Sequence, residues 1–567
     1  MKIVDTMPKV AIDPIKLEII RNRWQGVADE MCATLVRASY STNIKDRRDC
    51  SAAIALLNGE VLAQAEVGTP LHLGIMPAVI RSVLAEFPID QFQPGDMVIT
   101  NLPYPEGPGH LPDLSMVSVI FDASEEPFAI AATTAHHVDM GGYAPGSMPL
   151  GVTEIYQEGL QIPPIRVVQR GQMNEPLLRL INQNVRTKIE VRGDLMAQVA
   201  AAKIGEARVA DLLTRTSREE LLRYMLAVLD YAERRMRVGI RTLPEGDYYF
   251  EDFLDDDGIS DESVRIAVTL RVRGDQLIAD FAGTAPQVLG PLNARLSAAR
   301  ACVYYVAKAV IDPDLPTCAG AYRPIEVHAP EGTILNARYP AAIGNANIIT
   351  DQRVVDVLMG AFYQAVPDKI CAACSGEMNL LNIGGISPTT GEYYNYVETY
   401  AGGQGASIDL DGADGVHTHL TNTRNAPVEV IERNYPLEVV RYGLIPDSEG
   451  PGKFRGGCGM LREVRCLAER TTLSIGADRR KITPWGIDTE HRARGSHCFV
   501  EAADGSVREL PTKVVTVLKC GETLLTETPG GGGWGNPLER DREAIADDVA
   551  EGLISPERAA AIYGLQC

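Results

Sequence analysis

Three of the chain's nine histidines (His110, His136, His137) and four aspartates (Asp96, Asp113, Asp122, Asp139) fall between Gly95 and Gly142. His110 and Asp113 are three residues apart in HLPD, and His136 and His137 are adjacent. Imidazoles combined with one or two carboxylates suit a divalent metal: zinc first, manganese or ferrous iron as alternatives. A calcium cage, built from oxygen alone, does not fit. A His-x-x-Asp pair by itself is commonly a hydrogen-bonded loop pair. Neighbouring residues on a strand point to opposite faces, so at most one of His136 and His137 is a direct ligand. The cluster carries the reading, not any one pair. Asp49, next to Arg47 and Arg48 and just before an apolar run, reads either as a structural ion pair or as a further ligand of the same site.

These side chains need rigid supports. Met97–Thr100 is apolar enough for a buried strand, and the following NLPYPEGPGH loop, with its prolines and glycines, can be neither helix nor ladder. Ser115–Phe121 and Phe128–Thr134 read as a hairpin pair, which places His110 and Asp113 at the mouth of one strand and His136/His137 at the end of another. Upstream, Asp13-Pro14 opens a helix whose Ile20, Trp24, Val27, Met31 and Leu35 share one face, and it leads to a strand at Ser51–Leu57. Downstream, Leu177–Leu243 reads as two or three long helices, and short β-rich runs follow Gly246. Asp255-Asp256-Asp257-Gly258 reads as a hairpin tip. Asn345–Phe362 reads as a loop feeding a helix capped by Thr350 or Asp351, and His417 and His419 as two positions on one strand face, lining either a pocket or a solvated sheet. Arg479–Lys481, a short basic run beside Trp485, reads as an anion contact or a solvated turn, and Pro529–Gly535 is a loop only glycine allows. The expected fold class is α+β, a mixed multi-layer β-rich subunit with a long-helix segment in the middle. Its expected divisions are an N-terminal α/β region with the site loops (1–170), a helical segment (171–245), a β-rich region (246–535) and C-terminal helices (536–567).

Composition narrows the function. With 54 basic against 75 acidic residues the net charge is −21, and no basic cluster offsets it, so nucleic acid is excluded as a partner. No uncharged apolar run approaches membrane length, and the N-terminus lacks a signal-peptide core; the expectation is a cytoplasmic protein with no membrane contact. Eleven cysteines lie scattered without a framework, Cys371-Ala-Ala-Cys374 being the only CxxC, and Cys32, Cys302 and Cys466 read as buried thiols. GGQG at 402–405 lacks the Lys-Ser/Thr of a phosphate-binding loop, and no G-x-G-x-x-G follows a strand, so the chain carries no nucleotide-binding signature of its own.

Eight segments, in order along nearly the whole chain, resemble the hydantoinase B/oxoprolinase family. They are IKDRRDCSAAI (44–54), GDMVITNLPYPEGPGHLPDLSMV (95–117), AHHVDMGGYAPGSMP (135–149), TEIYQEGLQIPPI (153–165), ADFAGTAPQVLGPLNA (279–294), GVHTHLTNTRNAP (415–427), YPLEVVRYGLIPDSEGPGKFRGGCG (435–459) and TPGGGGWGNPLERD (528–541). The resemblance implies the β subunit of an ATP-dependent cyclic-amide hydrolase acting on a hydantoin, 5-oxoproline or lactam. It implies a larger A-type ATPase partner that binds ATP-Mg, in an (αβ)2 assembly. It also implies metal ligands at Asp49, His110, Asp113 and one of His136 or His137, with Asp139 or Asp46 as supports that orient the imidazoles. The alternative it leaves open is a subunit of an acetone- or acetophenone-type ketone carboxylase, in which bicarbonate takes part.

Overall fold

The computed structural model describes residues 12–565. The fold is α+β, with twelve α-helices and four sheets among the described residues. The first sheet is antiparallel throughout. It contains β1 (Cys50–Ala55), β2 (Val61–Gln64), β3 (Met97–Thr100), β4 (Asp113–Phe121), β5 (Pro127–His136), β6 (Ile165–Gln169) and β7 (Gln172–Met173), in the order β2-β1-β5-β4-β3-β6-β7.

Both faces of its centre are covered, and every residue of β1 is buried. Two faces without water explain why β1 reads CSAAIA, small and apolar, with no polar alternation. On one side lie α1 (Pro14–Ala38), linked to β1 by α2 (Thr42–Lys45), and the long α5 (Lys188–Arg215). The Asp13 side chain caps α1, and Ile20, Trp24, Val27, Met31 and Leu35 all point into the core, where Trp24 stacks against Phe128 of β5. On the other side lies α3 (His72–Glu86). The helical middle holds α4 (Glu175–Asn184), α5 and α6 (Arg218–Ile240).

The second sheet, β8 (Gly246–Leu254), β9 (Val264–Arg273), β10 (Gln276–Asp280) and β11 (Ile325–His328), holds the one parallel pair, β10 with β11, among the named strands of the described residues. The Asp255–Gly258 tip joins β8 to β9. Behind them come α7 (Leu296–Ile311), the short α8 (Ala319–Tyr322) and α9 (Thr350–Tyr363), which packs on β8 and β9. The third sheet runs β13-β12-β16-β19 and the fourth β14-β15-β20-β17-β18. Their strands are β12 (Leu380–Ile386), β13 (Tyr393–Thr399), β14 (Leu437–Leu444), β15 (Met460–Cys466), β16 (Arg470–Gly476), β17 (His497–Glu501), β18 (Val507–Glu509), β19 (Lys513–Lys519) and β20 (Thr523–Glu527). The short α10 (Val428–Asn434) leads into β14, and α11 (Arg542–Ala550) and α12 (Pro556–Ala561) close the chain.

One apolar core runs from Ile20 to Trp534 across all but the last of the four expected divisions; a second joins sheets three and four through residues such as Ile383, Tyr396, Val464 and Leu473. The loop Gly530–Gly533 is buried backbone against backbone: a Cβ at Gly531 would lie 2.0 Å from the Gln404 carbonyl oxygen, and one at Gly532 2.0 Å from that of Trp485. Only glycine permits that approach.

Three local expectations are corrected. Ile349, not Thr350 or Asp351, precedes the first turn of α9 and makes no side-chain cap; the Thr350 hydroxyl donates to the Leu292 carbonyl instead. The Asp351 carboxyl is buried without a partner, and burial pushes its pKa up to about 8, so it is protonated at neutral pH. His417 and His419 lie in a loop rather than a strand, with His419 at φ 56°. In the basic run, Arg479 is fully buried between Asp252 and Asp356, a structural pairing rather than an anion contact.

Candidate metal centre

The β4–β5 ladder builds the site. Asp113 opens β4, His136 closes β5, and the two are direct cross-strand partners, so their side chains leave the same face of the sheet. The HLPD turn then returns His110 over that face. Its Nδ1–H donates to the Gly344 carbonyl (3.0 Å), which fixes the tautomer and leaves the Nε2 lone pair pointing inward, 3.3 Å from Asp113 Oδ1 and 3.2 Å from the Asn347 amide nitrogen. The His110 and His136 rings meet edge to face at 4.9 Å. One ligand atom from each of His110, Asp113 and His136 lies within 4.8 Å of the other two, and all three side chains are buried.

Asp49, His72, Asp113 and His136 line one cavity of about 30 Å³. Asp49 Oδ1 accepts from the Thr69 hydroxyl (3.1 Å), and its carbonyl accepts from the His136 N–H. His137 points the other way: it faces Gln198 of α5, with Nε2 3.0 Å from the Gln198 amide oxygen. The HH pair is thus divided between the two faces of the sheet, and His136 is the member on the His110 side.

The supports behind these residues have no signature in the sequence. The Asn43 amide nitrogen lies 2.8 Å from His136 Nδ1 and donates to the His136 carbonyl (2.8 Å), while Arg47 donates to Asn43 Oδ1. Arg47 is itself fully buried, donating to the Val397 carbonyl (3.0 Å) and the Thr399 hydroxyl (2.6 Å), and so ties the first sheet to the third. Asp139, expected beside an imidazole, instead accepts from the Arg186 backbone (2.7 Å) and guanidinium (2.8 Å), and Asp46 is partly exposed. Neither is hydrogen-bonded to a histidine among the described residues.

The electrostatics suit a cation. Burial alone would raise the Asp113 pKa, yet the His110 imidazole beside it holds the carboxyl well below the usual range; burial opposes the charge on His110, but Asp113 outweighs it and raises its pKa. Burial pushes His136 down to about 4, so that ring is neutral. Asp113 Oδ2 is buried with no hydrogen-bond partner. An orphaned carboxylate oxygen and an inward imidazole lone pair, in a space for one or two waters, fit a divalent ion of the borderline class.

Residues 13–537 match the family described as hydantoinase B/oxoprolinase. The B-type subunit of a putative D-/L-hydantoinase from a Pseudomonas species is 34% identical, the match covering 98% of this chain and 95% of the relative. The 5-oxoprolinase 1 of Arabidopsis thaliana is 32% identical over 93% of this chain, which spans 42% of that protein. The crystal structure of an ATP-dependent caprolactamase from Pseudomonas jessenii superposes with a TM-score of 0.91 at 27% identity, covering 98% of this chain and 97% of the other. A family match over nearly the whole length and relatives aligned almost end to end leave one assignment: the chain belongs to the hydantoinase B/oxoprolinase family.

Proposed function

We propose that this chain is the β subunit of an ATP-dependent cyclic-amide hydrolase that opens a hydantoin, 5-oxoproline or lactam ring. The observation that carries the reading is the convergence of His110, Asp113 and His136, the last two lining a cavity together with Asp49. Those four residues would hold a divalent metal, zinc first, which supplies Lewis-acid polarisation and a more acidic bound water. The chain's own contribution is placement: Gly344 fixes the His110 tautomer, Asn43 fixes His136, and Thr69 fixes Asp49, so the donors are in place before substrate arrives. The tightness of the cavity limits the water beside those donors to one or two molecules.

Unstrained amides resist hydrolysis, and a small lactam closes favourably, so ring opening needs a drive. ATP on a larger A-type partner supplies it by phosphorylating the ring carbonyl oxygen. Water then attacks that carbon, and the ring C–N bond breaks with its electron pair going to nitrogen, which takes up a proton. A second water cleaves the acyl phosphate so formed to give the carboxylate and free phosphate. Two facts support this division of labour. The chain has no phosphate-binding loop, and it corresponds to less than half of the 5-oxoprolinase it matches. An (αβ)2 assembly in the cytoplasm, where ATP is available, completes the proposal. No helix among the described residues is long and apolar enough to cross a membrane.

The test is co-expression with an A-type ATPase subunit from the same source, followed by ATP, labelled bicarbonate and a panel of hydantoins, lactams and ketones, with products read by mass. Ring-opened amino acids without label support the proposal. Label fixed into a β-keto acid, or no ring-opened product from any cyclic amide, overturns it. His110→Ala should abolish turnover while leaving the complex intact; full turnover in that variant would reduce the chain to a scaffold.

A further inference from the structure

We infer that the chain carries a second metal site, a thiolate–imidazole centre for zinc built from Cys371, Cys374 and His419. It lies outside the His110 cluster and shares no residue with it. One ligand atom from each of the three lies within 4.8 Å of the other two. In a tetrahedral zinc site with ligand bonds of about 2.0–2.3 Å, neighbouring ligand atoms stand roughly 3.5–3.8 Å apart. A convergence of about 1 Å at each side chain therefore completes the geometry.

The surroundings are those of a built site. His419 is held at φ 56°, in the left-handed region, where a side chain is placed at a cost and seldom without a reason. Its side chain is only 5% exposed, and Nε2 stands 3.4 Å from Asp356 Oδ1, which leaves Nδ1 as the nitrogen to meet the metal. A buried imidazole backed by a carboxylate is the usual support of a zinc-bound histidine. Cys374 is fully buried, and the Gly405 N–H donates to its Sγ at 3.3 Å, a bond that strengthens as the sulfur gains negative charge. Asp356 also accepts from the Cys374 N–H (3.2 Å), so one carboxylate ties the two ligand segments together.

The CxxC backbone is pinned from the opposite side by the glycine loops: Ser375 N–H donates to the Gly403 carbonyl and Gly532 N–H to that of Ala373. Three ligands leave a fourth position. It faces a cavity of about 550 Å³ lined by Cys371, Cys374, His417, His419, Gln404 and Ser407, large enough for a water or for the heteroatom of a small ligand. Three protein ligands with an open position is the arrangement of zinc sites that bind exogenous molecules rather than merely brace a fold.

The test is metal stoichiometry on the whole chain, stripped with chelator under reducing conditions and reloaded with zinc, together with the absorption spectrum after cobalt loading. The inference predicts two zinc ions per chain and a sulfur-to-cobalt charge-transfer band in the near ultraviolet. Cys371→Ser, at a half-exposed position that should tolerate it, and His419→Gln each remove one ion and weaken or abolish the band. Asp113→Asn removes the other ion and leaves the band untouched, so failure of this inference is distinguishable from failure of the first site. Two outcomes overturn it: the absence of a sulfur-to-cobalt band in the reduced wild type, or a Cys371–Cys374 disulfide that forms readily while the reduced protein binds no metal at this position.

Discussion

Asn43→Ala tests the reasoning about the first cluster most directly, because Asn43 touches a proposed ligand without being one. Its side chain is fully buried and bonds the His136 ring and carbonyl, while its oxygen accepts from the Arg47 guanidinium. Each neutral bond is worth about 0.5–1.5 kcal/mol net and the one to the charged group about 1.5–3, so truncation should cost about 2.5–6 kcal/mol of stability. Loss of a support to a ligand typically weakens metal binding about 10–100-fold, or about 1.4–2.8 kcal/mol. The assay is a competitive chelator titration of zinc in a Cys371→Ser background, so that the second centre does not contribute, with thermal unfolding of the metal-free protein alongside. The expected pattern is a fall in both quantities, with the affinity loss persisting at temperatures where the variant is fully folded. Zinc affinity unchanged within about threefold, in a folded but destabilised variant, would refute the claim that Asn43 orients His136 for a metal.

Other perturbations separate structure from chemistry. His137→Ala should leave zinc bound at the first cluster, since that ring faces Gln198, and cost about 1–3 kcal/mol by stranding the Gln198 oxygen, measured as a lower Tm at full metal content. Glu398 and Arg462 form an ion pair with neither side chain exposed; Glu398→Ala should cost about 3–5 kcal/mol, and the Glu398→Leu/Arg462→Met double variant much less, a contrast read by unfolding both. Burial, reinforced by Asp478, pushes the Glu377 carboxyl up to about 8. With the folded pKa above the unfolded one, its stabilising contribution is complete below about pH 4.5 and is lost as pH rises through 8. Glu377→Gln should therefore flatten the fall in Tm between about pH 5 and pH 9. Gly531→Ala should yield no soluble folded chain, because backbone atoms on both sides have nowhere to retreat.

What could be read from the sequence follows a physical division. His110, Asp113 and the His136/His137 pair were legible because a hairpin's period of two and a proline-stiffened loop fix where their side chains go within a few dozen residues, but which member of the pair faces His110 was not. Their supports were not. Gly344 reaches His110 from 234 positions away through a backbone carbonyl, which leaves no trace in residue type, and Asn43 is one of many asparagines. His417 and His419 misled for the opposite reason: alternation suggested a strand, but pairing stops at a single bridge between Val416 and Gly402, and His417–His419 continue as a loop. Arg479 looked like a surface charge because its partners, Asp252 and Asp356, come from β8 and α9. Buried residues of one apolar cluster come from three of the four expected divisions, contacts between distant segments that composition along the chain does not reveal.

The cavity between Asp49 and His136, about 30 Å³, sets a kinetic requirement. An ion and a water fill it; a five-membered ring with its exocyclic oxygen displaces several times that volume. Chemistry at this point therefore has to be preceded by a first-order opening step, whose rate does not depend on how much substrate is present. On the proposed function, a site shut in this way spends no activated intermediate on stray water, and the rate of opening sets the upper limit on turnover.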